Sequence, residues 1–420
     1  MNYQLAKTVS TLERSVMRDL LALVAKPNVL NLAGGLPADE NLPRAQLQEC
    51  FDAVLTRDGA RTLQYGPPYA PLKELIAQHM HTRGVECTAD DIFITNGNQQ
   101  GLQMCARMFL DGGESVAVEE FTFTGVLQAI QGHGAKALAI PVNLEQGIDV
   151  DELEYALEKN RPRLIITIPD FHNPLGVSMR ARQREQLAEL AARYAIPVIE
   201  DSPYSPLRFC GDAIPALKAY DENDAVIYLG SFSKMISPAL RLGWLVAPRE
   251  LMPRFTVLRE SLDLESSQLV QRVVAEFLTR GYLEPHLEQL CAANHARRDL
   301  MLNALERELG GLAQWTIPDG GLFVWVTLPE GMDTEKLLHD ALAQNVAFVP
   351  GFAFAADGRG GRNSTRGANS MRGANSMRGA NSMRGANSMR LNFSNAPREK
   401  IADGIARLAN VIREASAIHA

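Results

Sequence analysis

The 420-residue sequence contains no apolar run that approaches the roughly 18 to 20 residues a membrane-crossing helix needs. Its first twenty residues carry scattered charges and no hydrophobic region, so no secretory leader is expected. Cysteine is scarce: Cys50, Cys87, Cys105, Cys210 and Cys291 lie far apart and form no CxxC pair. A disulfide framework or a cysteine-built metal site is therefore not expected, and a reducing cytoplasm is the natural compartment. No block of basic residues exists either. The 42 Lys and Arg stand against 49 Asp and Glu, for a net charge of -7. Nucleic-acid binding has no support from such a balance. No GxGxxG follows an early strand, which disfavours a nicotinamide-binding enzyme.

What is present is ample core material. The chain is 46% hydrophobic and 22% charged, and its length suits two or three domains. Leu12, Val16, Leu20, Leu21 and Val24 recur at helical spacing, which predicts an amphipathic N-terminal helix ending near Lys26-Pro27. A turn-rich loop, 31–37, follows. From about Asp91, short apolar runs alternate with helical stretches. The runs are 92–95, 115–118, 137–140, 164–168, 197–200, 226–229 and 243–246. Continuous β-rich runs with intervening helices predict a mostly parallel sheet covered on both faces. The span 260–310 reads as helical. Beyond it, 321–326 and 390–393 read as strands of a smaller α+β domain.

One segment breaks these rules. RGANSM occurs four times in tandem, from Arg366, Arg372, Arg378 and Arg384, and Arg390 then leads into LNFSNA. A period of six keeps no helix or strand face apolar, and Gly, Ala, Asn, Ser and Arg are poor core material. The segment 366–389 is expected to be a solvated loop, an expansion at the mouth of the site.

The chemistry sits at strand ends. Ser231-Phe232-Ser233-Lys234 and Arg241 follow the run 226–229: two hydroxyls, an amine and a guanidinium, fit to hold a phosphate and to supply a nucleophile. Asp170-Phe171-His172-Asn173-Pro174 follows 164–168, and Glu200-Asp201-Ser202-Pro203-Tyr204 closes the run 197–200. Thr95-Asn96-Gly97-Asn98-Gln99 opens a helix whose first N–H groups suit a phosphate. In an open α/β sheet, ligands bind beyond the carboxyl ends of the strands, and here four such ends carry polar residues.

These motifs, with AGGLP, LQYGP, HNPLG, EDSPY, SFSK, GGLFVWVTLPEG and RLNFS in order, resemble the fold-type I pyridoxal-phosphate-dependent aminotransferases of class I/II. The similarity is strongest to 2-aminoadipate aminotransferases and to the aminotransferase half of MocR-type regulators, and it spans nearly the whole chain. It implies a large domain, 46–295, with a mostly parallel seven-stranded sheet. It also implies a smaller α+β domain, from 1–45 and 296–420. The cofactor implied is pyridoxal 5'-phosphate. Lys234 is implied as its covalent attachment point and proton shuttle, and Asp201 as the partner of its pyridine nitrogen. Asn173 and Tyr204 would bond the phenolic oxygen. Ser231, Ser233, Arg241, Asn98 and Gln99 would hold the phosphate, with Tyr65 reaching it from the other subunit. Phe123 would stack on the ring, at a position where the family commonly has tyrosine. Arg390 is implied for the substrate carboxylate and Arg18 for the substrate side chain, while Gly34 and Gly35 would allow close approach. LQYGPPYAPLKE is about two residues shorter than the usual segment.

The resemblance implies a homodimer that moves an amino group from an L-amino acid to a 2-oxo acid, 2-oxoglutarate being the expected acceptor. A lyase or decarboxylase on the same fold remains an alternative. A ligand-sensing regulator is a second, though the motifs begin by Gly34 and leave no room for a DNA-binding domain before them. The sequence names neither the amino donor nor the pathway.

Overall fold

A computed structural model describes residues 3–6, 9, 28–357 and 384–419. The expected N-terminal helix, Arg18 and the first three hexapeptide units lie outside these residues. The seven apolar runs form seven strands of one sheet: β1 (Ile92–Thr95), β2 (Ser115–Glu119), β3 (Lys136–Ile140), β4 (Leu164–Thr167), β5 (Val198–Asp201), β6 (Val226–Ser231) and β7 (Gly243–Val246). Their spatial order is β1-β7-β6-β5-β4-β2-β3. Only β7 runs antiparallel to its neighbours. The strands β4 to β7 are buried along their whole length, which requires helices on both faces and explains why they read as continuous apolar runs. On one face α1 (Asn98–Phe109) turns Leu102, Met104, Cys105 and Ala106 into a core with Leu229 and Leu245. On the other, Leu187, Leu190 and Ala191 of the helix Ala181–Tyr194 pack on Ile165 and Val198.

The helical span expected near 260–310 comprises α2 (Met252–Leu262), α3 (Gln268–Thr279) and α4 (Leu283–Leu309). Among the described residues no helix is long and apolar enough to cross a membrane. Beyond α4 a second sheet forms from β8 (Gln314–Trp315), β9 (Phe323–Thr327), β10 (Val349–Pro350) and β11 (Ser388–Asn392), in the order β8-β9-β11-β10 and wholly antiparallel. The C-terminal helix α5 (Ile401–His419) covers it through Ile405, Leu408 and Ile412. Leu30-Asn31 pairs in parallel with Val346-Ala347, and from there the strap 32–37 crosses towards the large sheet.

The expectation of a solvated loop over 366–389 fails for the last unit. Ser388 and Met389 are buried within β11. Leu328 N–H donates to Asn387 O at 2.8 Å, and Thr334 donates to Ala386 O through both its N–H (2.8 Å) and its Oγ1 (2.9 Å). Arg384 Nη1 donates to Glu120 Oε2 at 2.8 Å. Small, hydrogen-bonding residues are poor core formers alone, but they suit a wall whose backbone must approach Gly351 and Phe121 closely, as Gly385 does at φ +73°.

Candidate active site

The carboxyl ends of β1, β2, β4, β5 and β6 open on one edge of the large sheet, and the strap 32–37 and β11 close over it. Lys234 stands in the turn after β6. Its Nζ donates to Gly35 O at 2.7 Å, which ties the turn to the strap. Burial, then the guanidinium charges of Arg390 and Arg241, lower the Lys234 pKa to about 8. A sizeable fraction is therefore the neutral amine at physiological pH, the form that a nucleophile or proton acceptor needs.

Asp201 ends β5 and is buried. Burial raises its pKa to about 7, the charge of Glu119 adds to the rise, and a hydrogen bond from Asn98 opposes it. Asn98 Nδ2 donates to Asp201 Oδ1 at 2.7 Å and to Leu229 O at 3.2 Å. The Asn98 side chain is engaged with Asp201, so the group that Asn98 has for the expected phosphate role is its backbone N–H at the start of α1. Asn98 Oδ1 is buried without a hydrogen-bond partner.

Asn173 and Tyr204 come together, Asn173 Nδ2 to Tyr204 Oη at 3.4 Å, and burial pushes the Tyr204 hydroxyl pKa up. Arg390, in β11, is fully buried. It donates from Nη1 to Asn173 Oδ1 and from Nη2 to Ala33 O, both at 2.6 Å. Its guanidinium lies 4.1 Å from the centre of the Phe323 ring and 4.9 Å from that of Phe354. Burial lowers its pKa, with Tyr204 opposing, yet a guanidinium stays charged at neutral pH.

The second group forms a cup at the end of β6 and the start of α1. Ser233 N–H donates to Ser231 Oγ at 3.1 Å. Arg241 Nη2 donates to Asn96 O at 3.0 Å and lies over Gly97, where an added Cβ would come within 2.9 Å of it. Gly97 is required by its backbone, at φ +85°. Gln99 Nε2 donates to Gly125 O at 3.0 Å, and the Phe123 ring packs beside it over Gly125, which leaves no room for a Cβ. The first N–H groups of α1, those of Asn98 and Gln99, have no acceptor within the helix and stand at this end of it.

Gly34 and Gly35 lie in the strap, shaped by Asn31 Oδ1, which accepts from the N–H groups of Ala33 (3.0 Å) and Gly34 (2.9 Å). An added Cβ on Gly35 would stand 3.0 Å from Phe323. Tyr65 is 81% exposed and joins nothing in its own site. The sequence reading gave no individual role to Asn31, Phe323 and Phe354, nor to the buried pair His172 and Glu119, whose Nε2 and Oε2 lie 3.6 Å apart. Asn31 had a local signal, an Asx-type residue two and three positions before small residues. The others carry none, because their partners are remote in sequence.

An amine of lowered pKa, a buried carboxylate, an aromatic ring and a cup of hydroxyls, guanidinium and helix N–H groups fit pyridoxal phosphate by the chemistry of the donor set. The sequence model of the aminotransferase class I and II family matches residues 27–367. The chain belongs to that family. It is 37% identical over 411 residues to aromatic-amino-acid aminotransferase 1 of Thermococcus litoralis, which covers 96% of this chain and 92% of the relative. The crystal structure of Pyrococcus horikoshii kynurenine aminotransferase in complex with PMP is 35% identical, covers 98% and 97% of the two chains and superposes with a TM-score of 0.87. That of alpha-aminoadipate aminotransferase from Thermus thermophilus, complexed with N-(5'-phosphopyridoxyl)-L-leucine, is 33% identical, covers 99% and 98%, and has a TM-score of 0.86. The fold is that of the fold-type I enzymes. The protein is a pyridoxal-phosphate-dependent aminotransferase acting on amino acids.

Proposed function

We propose that the enzyme is a cytoplasmic homodimer that transfers the amino group of an L-amino acid to 2-oxoglutarate, with aromatic amino acids and 2-aminoadipate as donors. The names of its relatives support that donor range. One observation carries the mechanism: the Lys234 amine, held near neutrality, shares a buried site with Asp201 and with the guanidinium of Arg390.

When bound, pyridoxal phosphate supplies the carbonyl carbon that takes up the amino group and the ring that accepts the electron pair left by α-proton removal. The protein's residues do the rest. Arg390, fixed by Asn173, Ala33 O and two aromatic rings, grips the α-carboxylate and orients the α-C–H bond. Lys234 Nζ takes the α-proton and returns it. Asp201 accepts from the pyridine N–H and keeps that proton in place. Asn173 and Tyr204 donate to the phenolic oxygen. Ser231, Ser233, Arg241 and the N–H groups of Asn98 and Gln99 hold the phosphate, and Phe123 covers the ring. Gly34 and Gly35 leave the strap thin where the substrate passes, and Arg18 meets the substrate side chain. The same reading divides the chain into a large domain, 46–295, and a small domain, from 1–45 and 296–420.

A second copy is supported by the exposed apolar residues Leu63, Tyr65, Leu262 and Leu264. A groove is lined by Asn96, Leu240, Arg241, Leu242, Ser267 and Val270. Tyr65 of one copy entering the groove of the other would reach the phosphate cup next to Arg241.

Absorption spectroscopy tests the reading. The purified protein should show a visible cofactor band that Lys234→Ala removes. The band should bleach on addition of Phe or 2-aminoadipate and return with 2-oxoglutarate. A band that responds to no amino acid, or that does not return with 2-oxoglutarate, would overturn the proposed pair of half-reactions.

A further inference from the structure

The connection between α2 and α3 holds two functional segments at once. On one side, Asp263 gathers the turn that starts α1. Its Oδ2 accepts from Asn96 Nδ2 at 2.6 Å and from Gln100 Nε2 at 2.7 Å. Its Oδ1 lies 2.6 Å from Arg259 Nε. Arg259 continues the network, donating from Nη1 to Gln100 Oε1 at 2.6 Å and from Nη2 to Ser266 Oγ at 2.7 Å. Gln100 Oε1 also accepts the Asn96 N–H at 2.7 Å. Asn96 is the residue whose carbonyl receives Arg241. The side chain of Asp263 therefore fixes both the peptide that anchors Arg241 and the first turn of the phosphate-facing helix.

On the other side, the same connection and the first turn of α3 clamp the segment that carries Tyr65. Glu265 Oε1 accepts from Gly66 N–H at 2.8 Å. Gln268 Nε2 donates to the carbonyl oxygens of Gly66 and Pro67, each at 2.8 Å. Gln271 Oε1 accepts from Tyr69 N–H at 2.8 Å, while its Nε2 donates to Ser266 O at 2.9 Å. Between the two clamps, Leu264 adopts φ +68°, a left-handed conformation that a γ-branched side chain rarely takes. Such a conformation persists only where its surroundings impose it, and here hydrogen bonds from both directions do so.

We propose that Asp263 is a positioning residue that couples cofactor retention to subunit pairing: ordering its own phosphate cup aligns, through residues 263–271, the Tyr65 segment offered to the neighbouring copy. This rests on the proposed placement of the phosphate at Arg241 and of Tyr65 in the partner's site. The coupling is reciprocal: if a bound cofactor tightens the dimer, dimer formation tightens cofactor binding by the same factor.

The experiment measures two dissociation constants, that of pyridoxal phosphate by absorption titration and that of the dimer by sedimentation. Wild type, Asp263→Ala, Asp263→Asn and Arg241→Ala are each examined with and without the cofactor. In wild type, saturation with cofactor should tighten the dimer at least tenfold. Asp263→Ala should weaken cofactor binding at least tenfold and bring the ratio of dimer constants, cofactor-free to saturated, towards one. Asp263→Asn, which keeps one acceptor oxygen, should fall between. An Asp263→Ala protein with the wild-type ratio overturns the proposal, even if it is less stable, since a purely structural role weakens both dimer states alike. If Arg241→Ala retains wild-type cofactor affinity, or wild type is monomeric when saturated, the underlying reading fails instead.

Discussion

Asn98 donates a 2.7 Å hydrogen bond from Nδ2 to Oδ1 of Asp201, joining the start of α1 to the end of β5 across 103 positions of sequence. The bond bears on charge. Burial drives the Asp201 carboxyl towards its protonated form, and this amide is the neighbour that opposes it. The proposed role of Asp201 towards a pyridinium needs an ionised carboxylate, and the Asn98 amide favours that form.

The pH dependence of the cofactor-free protein should reveal this. Asp201 titrates near 7 in the fold, against about 3.9 in an unfolded chain. Between those values the native state binds the extra proton, so stability falls as pH rises from about 4 to 7. Asp201→Asn should abolish this component, and Asn98→Ala should extend the decline above pH 7. Thermal midpoints of the three cofactor-free proteins from pH 5 to pH 9 check it, and superimposable profiles would refute it.

Lys234 should set the rate at which the cofactor-free protein captures pyridoxal phosphate. The neutral amine reacts, and its pKa of about 8 predicts a rate rising with pH and half-maximal near 8. Arg390 is one of the two cations that lower this value. Arg390→Ala should move the midpoint upward. Stopped-flow absorption at several pH values measures it, and an unmoved midpoint would show that the Arg390 charge does not set the value.

Arg390→Lys should be far from conservative. Lysine cannot donate to Asn173 and Ala33 O as a fork, nor stack between Phe323 and Phe354. Loss of a charge-assisted bidentate grip of about 1.5–3 kcal/mol corresponds to roughly 10- to 150-fold in KM for the amino acid. Steady-state kinetics with Phe and 2-aminoadipate test this, and a KM within twofold of wild type would show that another group holds the carboxylate.

The hexapeptide array should divide into two parts of different consequence. Deleting 366–383 leaves one complete unit, 384–389, in its place on β11, and the variant should keep its cofactor band and its activity within about threefold. Arg384→Ala should instead destabilise the protein by about 1–2 kcal/mol, because Glu120 loses its guanidinium partner in a largely buried position. Denaturant titration of both variants distinguishes them. A deletion variant that does not fold would make the outer units structural.

The sequence by itself determined the seven strands of the large sheet and the polar residues at their ends. Both are local: an apolar β-rich run such as Leu164–Thr167 has to be buried on two faces, and the residue that follows it leaves the sheet at its carboxyl edge. It also marked Lys234, Asp201 and Arg390, through a resemblance carried by ordered motifs. The tertiary structure decided what those residues touch. Asn98 reads as a helix-start residue, and only the adjacency of β5 and β6 beneath α1 turns its amide onto Asp201. Nothing in the sequence of the last hexapeptide unit marks it as a wall, which it forms because it runs into β11 and meets Leu328, Thr334 and Glu120 there. Phe323 and Phe354 reach Arg390 only because β9 and β10 flank β11. Such contacts depend on strand order and register, which span hundreds of residues, while composition and spacing act over a few.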